Sequence, residues 1–121
     1  MKRVDMDMCK ILLIDDDPEF TAALEQILVD EDQEVLVCAG AEDVEEIDYQ
    51  PDLVLMDWWF GDETGEKLGK RVVERWRGVP LVVMSSDKEV PWLAKNVKTA
   101  DFLIKPFKIG ELLKVVERYT N

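Results

Sequence analysis

Histidine is absent from all 121 residues of the chain. Histidine is the side chain that changes charge near neutral pH, and it is the commonest metal ligand in proteins. Its absence excludes Ser-His-Asp catalysis, a phosphohistidine carrier and any metal site built on imidazole within this chain.

Cysteine is scarce as well, because only Cys9 and Cys38 are present. They lie far apart in the sequence and form no CxxC motif. Free cysteine is among the most buried residue types, and disulfides are rare in reducing compartments. We therefore expect two small buried side chains in a reducing cytosol.

Long apolar runs are missing too. No run approaches the roughly 20 residues that a membrane-spanning helix requires, and no signal peptide is recognisable at the N-terminus. We expect a cytoplasmic protein.

Positive charge is in the minority: Lys and Arg number 15 against 27 Asp and Glu, and the net charge is −12. Nucleic-acid binders need positive charge to displace counterions, and anionic membrane surfaces attract basic segments. The balance therefore argues against nucleic acid and membrane partners. It suits metal cations and basic patches on partner proteins.

The composition otherwise fits one globular domain. Apolar residues make up 47% of the chain, and a chain of this length can bury a core without disulfides or a structural metal. No repeat, low-complexity tract or linker interrupts it. We expect a single domain over residues 1–121, in which residues 1–8 form a ragged N-terminal lead-in.

Short apolar runs alternate with helical patterns along the chain. Each run is brief, rich in Val, Ile or Leu, and bounded by Asp, Gly or Pro, which is typical of strands buried on both faces. Between the runs, apolar residues recur at helical spacing, as at Phe20, Leu24 and Ile27. The predicted strands are residues 10–14, 34–38, 53–56, 80–84 and 102–104.

Five strands alternating with five helices predict an α/β fold. Such connections are right-handed crossovers, so the expected architecture is a (βα)5 doubly wound, five-stranded parallel sheet of the flavodoxin-like type, with helices on both faces. The helical segments at residues 41–47 and 89–98 are the least regular, and the second contains Pro91, which is tolerated only in a first turn. In folds of this class, ligands bind beyond the carboxyl ends of the strands.

Polar side chains follow four of the five predicted strands. Three carboxylates in close proximity cannot all ionise comfortably unless a cation joins them. Mg²⁺ prefers oxygen ligands in an octahedron and keeps several waters. The cluster therefore predicts a Mg²⁺ site formed by acidic side chains and a backbone carbonyl. The strand-end residues are Asp15, Asp16 and Asp17 after the first strand, Asp57 after the third, Ser85 and Ser86 after the fourth, and Lys105 after the fifth.

The same cluster is suited to phosphoryl chemistry. A metal beside Asp57 would leave one of its oxygens free, and a carboxylate can attack phosphorus to give an acyl phosphate. A transferring phosphoryl group needs positive charge and hydrogen-bond donors on its other oxygens. Lys105 and the Ser85 hydroxyl can supply them.

With these motifs in place, the sequence resembles the receiver domain of response regulators in bacterial two-component signalling. The resemblance covers about residues 9–119 and is greatest to the single-domain, chemotaxis-regulator type. The family pattern is an acidic pair after the first strand, an aspartate after the third, Ser or Thr after the fourth and Lys-Pro after the fifth. This sequence has all four in order, as Asp15 and Asp16, Asp57, Ser85, and Lys105 with Pro106.

The resemblance implies a role for each acidic residue. Asp57 is expected to be phosphorylated by a histidine kinase or a phosphotransfer protein. Asp15 and Asp16 are expected to bind Mg²⁺ together with Asp57 and the backbone carbonyl of Trp59.

The resemblance also implies roles for the residues after the last two strands. Ser85 is expected to turn towards the phosphoryl group as part of a switch, and Lys105 to pair with it. Phe102 stands at the family's rotating aromatic position, although a plain core aromatic fits equally well. The peptide bond between Lys105 and Pro106 is usually cis in the family.

Two of the polar residues are better explained as helix caps. Asp17 precedes Pro18, and proline is favoured at the first position of a helix, so Asp17 is predicted to be an N-cap rather than a metal ligand. Ser86 with Glu89 three residues later fits a capping box, which leaves Ser85 for the site.

The sequence departs from the family in the segment DWWFGDETG after the third strand. Gly61 stands where the family commonly has proline, so we expect a more mobile loop. Trp59 lies where a hydrolytic water must approach, and we hypothesise that it slows the loss of the phosphoryl group.

The second and fourth helical segments are shorter than is typical, which puts the usual dimerisation face of the family in doubt. Trp92, in the fourth segment, is compatible with two interpretations. It is either an exposed anchor for a partner protein or a cover for the shortened helix. Trp76 is expected in the core, on its helical stripe.

We expect a stand-alone phosphoacceptor switch with no built-in output after residue 121, so that a downstream protein is the target. A non-phosphorylated, receiver-like protein-interaction module is the alternative. A phosphatase is a third possibility, because Asp15-x-Asp17 resembles the nucleophile motif of haloacid dehalogenases. That motif has Thr or Val where this chain has Glu19, and the chain is short for that family.

Overall fold

The computed structural model describes residues 9–120, so the predicted lead-in at residues 1–8 lies outside the described residues. The chain alternates between strands and helices as the sequence predicts. The elements are β1 (Lys10–Ile14), α1 (Pro18–Asp30), β2 (Glu34–Cys38), α2 (Ala41–Glu45), β3 (Leu53–Asp57), β4 (Trp59–Phe60), β5 (Glu63–Thr64), α3 (Glu66–Arg75), β6 (Leu81–Ser85), α4 (Val90–Leu93), β7 (Asp101–Ile104) and α5 (Ile109–Thr120).

Five of the strands form one parallel sheet in the order β2-β1-β3-β6-β7. The order reverses direction at β1, so the sheet is doubly wound and the predicted fold is confirmed. The strand ends differ by a residue or so from the prediction, because Asp57 pairs with Met84 and Ser85 pairs with Ile104 within the ladder. Two of the candidate site residues are therefore the last residues of their strands.

The sheet is buried on both faces, which explains the continuous apolar runs. On one face, Leu12, Val54 and Val83 pack against α2, α3 and α4. On the other face, Leu13, Leu55 and their neighbours pack against α1 and α5. Trp76 lies in the first of these clusters with 5% of its surface exposed, so its predicted place in the core is confirmed.

The two predicted helix caps have different outcomes. The Asp17 side chain accepts hydrogen bonds from the main-chain N–H groups of Glu19 and Phe20 at the start of α1, so this N-cap is confirmed. The capping box of Ser86 and Glu89 is wrong, because α4 has no side-chain cap. The Glu89 N–H donates instead to Asp87, which satisfies it in a turn before the helix begins.

The two short helices are held by different means. Arg75 donates from its guanidinium group to the carbonyls of Val44 and Ile47, at the end of α2. Arg71 forms two hydrogen bonds with the Glu45 carboxylate, 2.8 Å and 3.1 Å long. The two Arg75 contacts give the carbonyls of Val44 and Ile47 a side-chain donor at the end of this five-residue helix. α4 is a single turn with Pro91 in it, as the proline rule requires.

The segment after β3 contains a small antiparallel hairpin that the sequence did not predict. β4 pairs with β5, and Gly61 between them has a φ of 66°, the left-handed conformation that glycine adopts without strain. Gly65 follows the hairpin at a point of close approach, since a Cβ there would lie 3.0 Å from the Met56 side chain and 3.1 Å from the Asp57 carbonyl oxygen.

Cys9 and Cys38 are not joined in a disulfide, and both are buried, as predicted. Burial, and to a smaller extent the nearby Asp43 carboxylate, raises the pKa of Cys38 to about 11. Among residues 9–120, none of the helices combines the length and the hydropathy needed to cross a bilayer.

Candidate functional site

The candidate site lies at the carboxyl ends of β1, β3, β6 and β7. Three of its polar residues are unusually well buried: Asp15 is 3% exposed, Asp57 is 8% exposed and Ser85 is 1% exposed. Asp15 directly follows the last residue of β1. Its main-chain N–H donates to the Cys38 carbonyl of β2, which holds Asp15 at the edge of the sheet. Charged groups are rarely buried this far unless they are paired.

Lys105 provides the pairing charge. Its Nζ lies 3.0 Å from Asp15 Oδ2 and 3.2 Å from Asp57 Oδ1, and 21% of its side-chain surface is exposed. The main-chain N–H of Lys105 donates to the Ser85 carbonyl at 2.8 Å, so β6 fixes the residue that carries the ammonium group. One cation thus bridges two buried carboxylates and offsets part of their desolvation cost.

One cation does not balance the acidic cluster. Burial and then the Asp15 carboxylate raise the pKa of Asp57 above its ordinary 3.8, and the contact with Lys105 lowers it by less. Asp16 adds an exposed carboxylate, and the oxygens of Asp15, Asp16 and Asp57 lie within 4.8 Å of one another. An all-oxygen donor set with surplus negative charge suits a hard divalent cation such as Mg²⁺.

The other predicted site residues are Ser85, Trp59 and Phe102. The Ser85 hydroxyl accepts the Asp87 N–H at 3.0 Å, at the end of β6 beside β7. Trp59 opens the hairpin two residues after Asp57, and its side chain is partly exposed. Phe102 is half-buried on β7 and packs against the core cluster on the α2, α3 and α4 face. The Lys105–Pro106 peptide bond is cis, as the family resemblance implies.

One contact of the site was missed by the reasoning from sequence. The Phe20 ring, on the first turn of α1, lies with its centroid 3.9 Å from Lys105 Nζ. The ring of Phe107 packs edge-on against it, with the centroids 6.1 Å apart and the planes at 79°. The sequence shows Phe20 only as one apolar residue on a helical stripe, so its spacing carries no signal of this contact.

Comparisons with known proteins agree with the geometry. The family model described as the response regulator receiver domain matches residues 11–117. The probable C4-dicarboxylate response regulator DctR of Bacillus subtilis is 31% identical over 117 residues, which cover 91% of this chain and 51% of that protein. The chain thus spans about half the length of this relative.

Solved structures show the same fold at lower identity. Chemotaxis protein CheY4 of Vibrio cholerae superposes with a TM-score of 0.81 at 23% identity, and the match covers 93% of this chain and 99% of that one. The receiver domain of sensor histidine kinase PA1611 of Pseudomonas aeruginosa has a TM-score of 0.77 at 22% identity, with coverage of 94% and 98%. That structure holds a magnesium ion in its active-site cleft.

Proposed function

The chain belongs to the response regulator receiver domain family, and from that premise we propose that Asp57 accepts a phosphoryl group in a two-component signalling relay. The donor is a histidine kinase or a phosphotransfer protein. Membership of this family supports a role for the chain in phosphorelay signalling.

The position of Lys105 is the strongest support for this proposal. Lys105 Nζ lies between the buried carboxylates of Asp15 and Asp57, at 3.0 Å and 3.2 Å. A structural ion pair needs only one carboxylate, and a second acidic group raises the cost of burial. This arrangement is suited to a ligand that brings its own negative charge and a second cation, as a phosphoryl group with Mg²⁺ does.

The residues present fit Mg²⁺. Asp15, Asp16 and Asp57 would hold it through carboxylate oxygens, and the Trp59 backbone carbonyl is the proposed further protein ligand. When bound, Mg²⁺ neutralises negative charge on the phosphoryl oxygens and on the carboxylates.

The chain's own residues account for the transfer. An Asp57 carboxylate oxygen attacks phosphorus, the bond between phosphorus and the donor's imidazole nitrogen breaks, and its electron pair stays on the imidazole. The Lys105 ammonium group stabilises the charge on the phosphoryl oxygens. The Ser85 hydroxyl, whose oxygen already accepts the Asp87 N–H, donates its own proton in a hydrogen bond to the phosphoryl group.

The phosphorylated form is proposed to change the binding of a downstream protein. Ser85 and Phe102 lie on the neighbouring strands β6 and β7, where Ser85 pairs with Ile104 and Phe102 pairs with Val83. A coupled movement of the Ser85 and Phe102 side chains is part of the proposal. A shift between two surface conformations follows from the different contacts that each state makes with the phosphoryl group. The net charge of −12 supports a protein target over nucleic acid or a membrane, and a cytoplasmic location is part of the same proposal.

A titration with beryllofluoride, which mimics a phosphoryl group on a carboxylate, tests the proposal. Trp58 is 1% exposed and follows Asp57 directly, so a change at the site should alter the tryptophan fluorescence of the chain. We expect a saturable change that requires Mg²⁺ in the wild type and in Asp48→Asn, a control at an exposed acid. We expect no such change in Asp57→Asn. A wild type that fails to respond would favour the non-phosphorylated interaction module.

A further inference from the structure

We propose that Phe20 is a positioning residue, whose aromatic ring holds the Lys105 ammonium group in place for phosphoryl transfer. The inference rests on the proposed function, because it assigns a role within the same site. It concerns a residue of α1 that touches none of the reacting atoms and acts through Lys105.

The contacts of Lys105 carry the inference. Its Nζ lies 3.0 Å from Asp15 Oδ2, 3.2 Å from Asp57 Oδ1 and 3.9 Å from the centre of the Phe20 ring. A cation within about 6 Å of an aromatic ring is attracted by the ring's negative face, and more strongly where water is excluded. Only 21% of the Lys105 side-chain surface is exposed, so the ammonium group is largely shielded from water.

A neutral ring suits this task better than another charged group. The lysine side chain is a flexible stem of four carbons that carries a compact charge, so its ammonium group needs restraint from its surroundings. A third carboxylate would restrain it but would also repel an incoming phosphoryl group. The Phe20 ring restrains the ammonium group without adding negative charge, and it leaves the N–H donors free to shift from carboxylate to phosphoryl oxygens.

Phe20 is itself held from two sides. Its main-chain N–H donates to Asp17 at the start of α1, which sets the direction of the first turn. Its ring packs edge-on against Phe107, two residues beyond Lys105. The first turn of α1 and the segment after β7 therefore fix the ring relative to the ammonium group.

The alternative role for Phe20 is packing alone, since it also lies against the core cluster on the α1 and α5 face. Packing is sensitive to the size of the side chain, whereas attraction of a cation requires the ring. Phe20→Leu keeps an apolar side chain and removes the ring, whereas Phe20→Tyr keeps the ring. Ile27→Val, two turns further along α1 and against the same cluster, is the matched packing control.

The experiment measures beryllofluoride affinity in the presence of Mg²⁺ and the rate of phosphorylation by acetyl phosphate, with melting curves to compare folding. We expect Phe20→Leu to weaken both by about fivefold. Phe20→Tyr and Ile27→Val should stay within about twofold of the wild type. In a Lys105→Met background, Phe20→Leu should cause no further loss of beryllofluoride affinity, because the group that the ring holds is gone.

Two results would overturn the role of Phe20. One is a Phe20→Leu variant that matches the wild type. The other is an equal loss on Phe20→Leu in the presence and in the absence of Lys105, which would indicate packing alone. A wild type that binds no beryllofluoride and accepts no phosphoryl group would overturn the proposed function itself, and with it this role.

Discussion

The two ends of the parallel sheet both carry polar side chains, but only one end buries them. At the carboxyl ends, Asp15, Asp57 and Ser85 are almost inaccessible to water, and Lys105 contacts both carboxylates. At the amino ends of β6 and β7, charged side chains line an open groove, and they include Lys70, Arg77 and Lys98. All three of these side chains are exposed.

The difference shows what makes a charged cluster chemically useful. Exposed charges are screened by water and salt, and pairs of them contribute little. Buried charges interact strongly, and their protonation and contacts depend on one another. The comparison predicts that equal substitutions have large effects on phosphorylation at the carboxyl ends and small effects at the amino ends.

Removal of a lysine at each end is the change with the largest expected contrast. Lys105→Met removes the cation that balances two buried carboxylates, and we expect the rate of phosphorylation by acetyl phosphate to fall by about 100-fold. Lys98→Met removes an exposed charge and should change the rate by less than about twofold. Equal rates for the two variants would contradict the comparison.

Adjacent serines at the end of β6 give a finer contrast. Ser85 is buried at the site, whereas Ser86 is exposed. Since a hydrogen bond to a charged group is worth about 1.5–3 kcal/mol, we expect Ser85→Ala to weaken beryllofluoride binding by at least about tenfold. Ser86→Ala should leave the affinity unchanged. A loss of affinity confined to Ser86→Ala would show that Ser86, and not Ser85, supplies the hydroxyl.

Substitutions of Trp59 and Trp92 test whether a tryptophan shields the site from water. Trp59 lies two residues after Asp57, and Trp92 is 66% exposed on α4. If Trp59 limits the approach of the hydrolytic water, Trp59→Asn should speed the loss of the phosphoryl group by about threefold to tenfold. Trp92→Asn is the control and should not. Decay of the phosphorylated protein after removal of the donor measures both, and an unchanged rate in Trp59→Asn would refute the shielding hypothesis.

The effect of Asp57 on stability is the smallest predicted change. Its pKa is raised above the ordinary 3.8, first by burial and then by Asp15, so the folded protein holds this proton more tightly than the unfolded chain does. Stability must then fall as the pH rises from 3.8 through the raised pKa, and the cost is fully present above it.

Asp57→Asn removes that cost. Without Mg²⁺, we expect the variant to have a higher Tm than the wild type at pH 7, and the difference should shrink as the pH is lowered towards 3.8. Differential scanning calorimetry in a chelating buffer measures this. A variant that melts below the wild type at pH 7 would show that the contact with Lys105 outweighs burial and the repulsion from Asp15.

Much of the fold could be predicted because it depends on local patterns. Continuous apolar runs such as residues 10–14 indicate strands buried on both faces, and the strand ends then place Asp15, Asp57 and Lys105 at one edge. The N-cap at Asp17 was predictable because a short polar side chain before proline is a strong local signal.

The remaining features depend on contacts between distant segments. The Phe20 ring meets Lys105 across 85 positions in the sequence, and neither residue marks the other. The β4–β5 hairpin is only two residues per strand, too short for a recognisable alternation. The capping box was wrong because Asp87, two residues after Ser85, satisfies the Glu89 N–H instead.

The central claim is that Asp57 is the phosphoacceptor, and intact-mass spectrometry after incubation with Mg²⁺ and acetyl phosphate tests it most directly. We predict one phosphoryl adduct in the wild type and in the control Asp48→Asn, and none in Asp57→Asn. An adduct that persists in Asp57→Asn, or a wild type that gains no mass while the donor is consumed by a known receiver domain alongside it, would contradict the account.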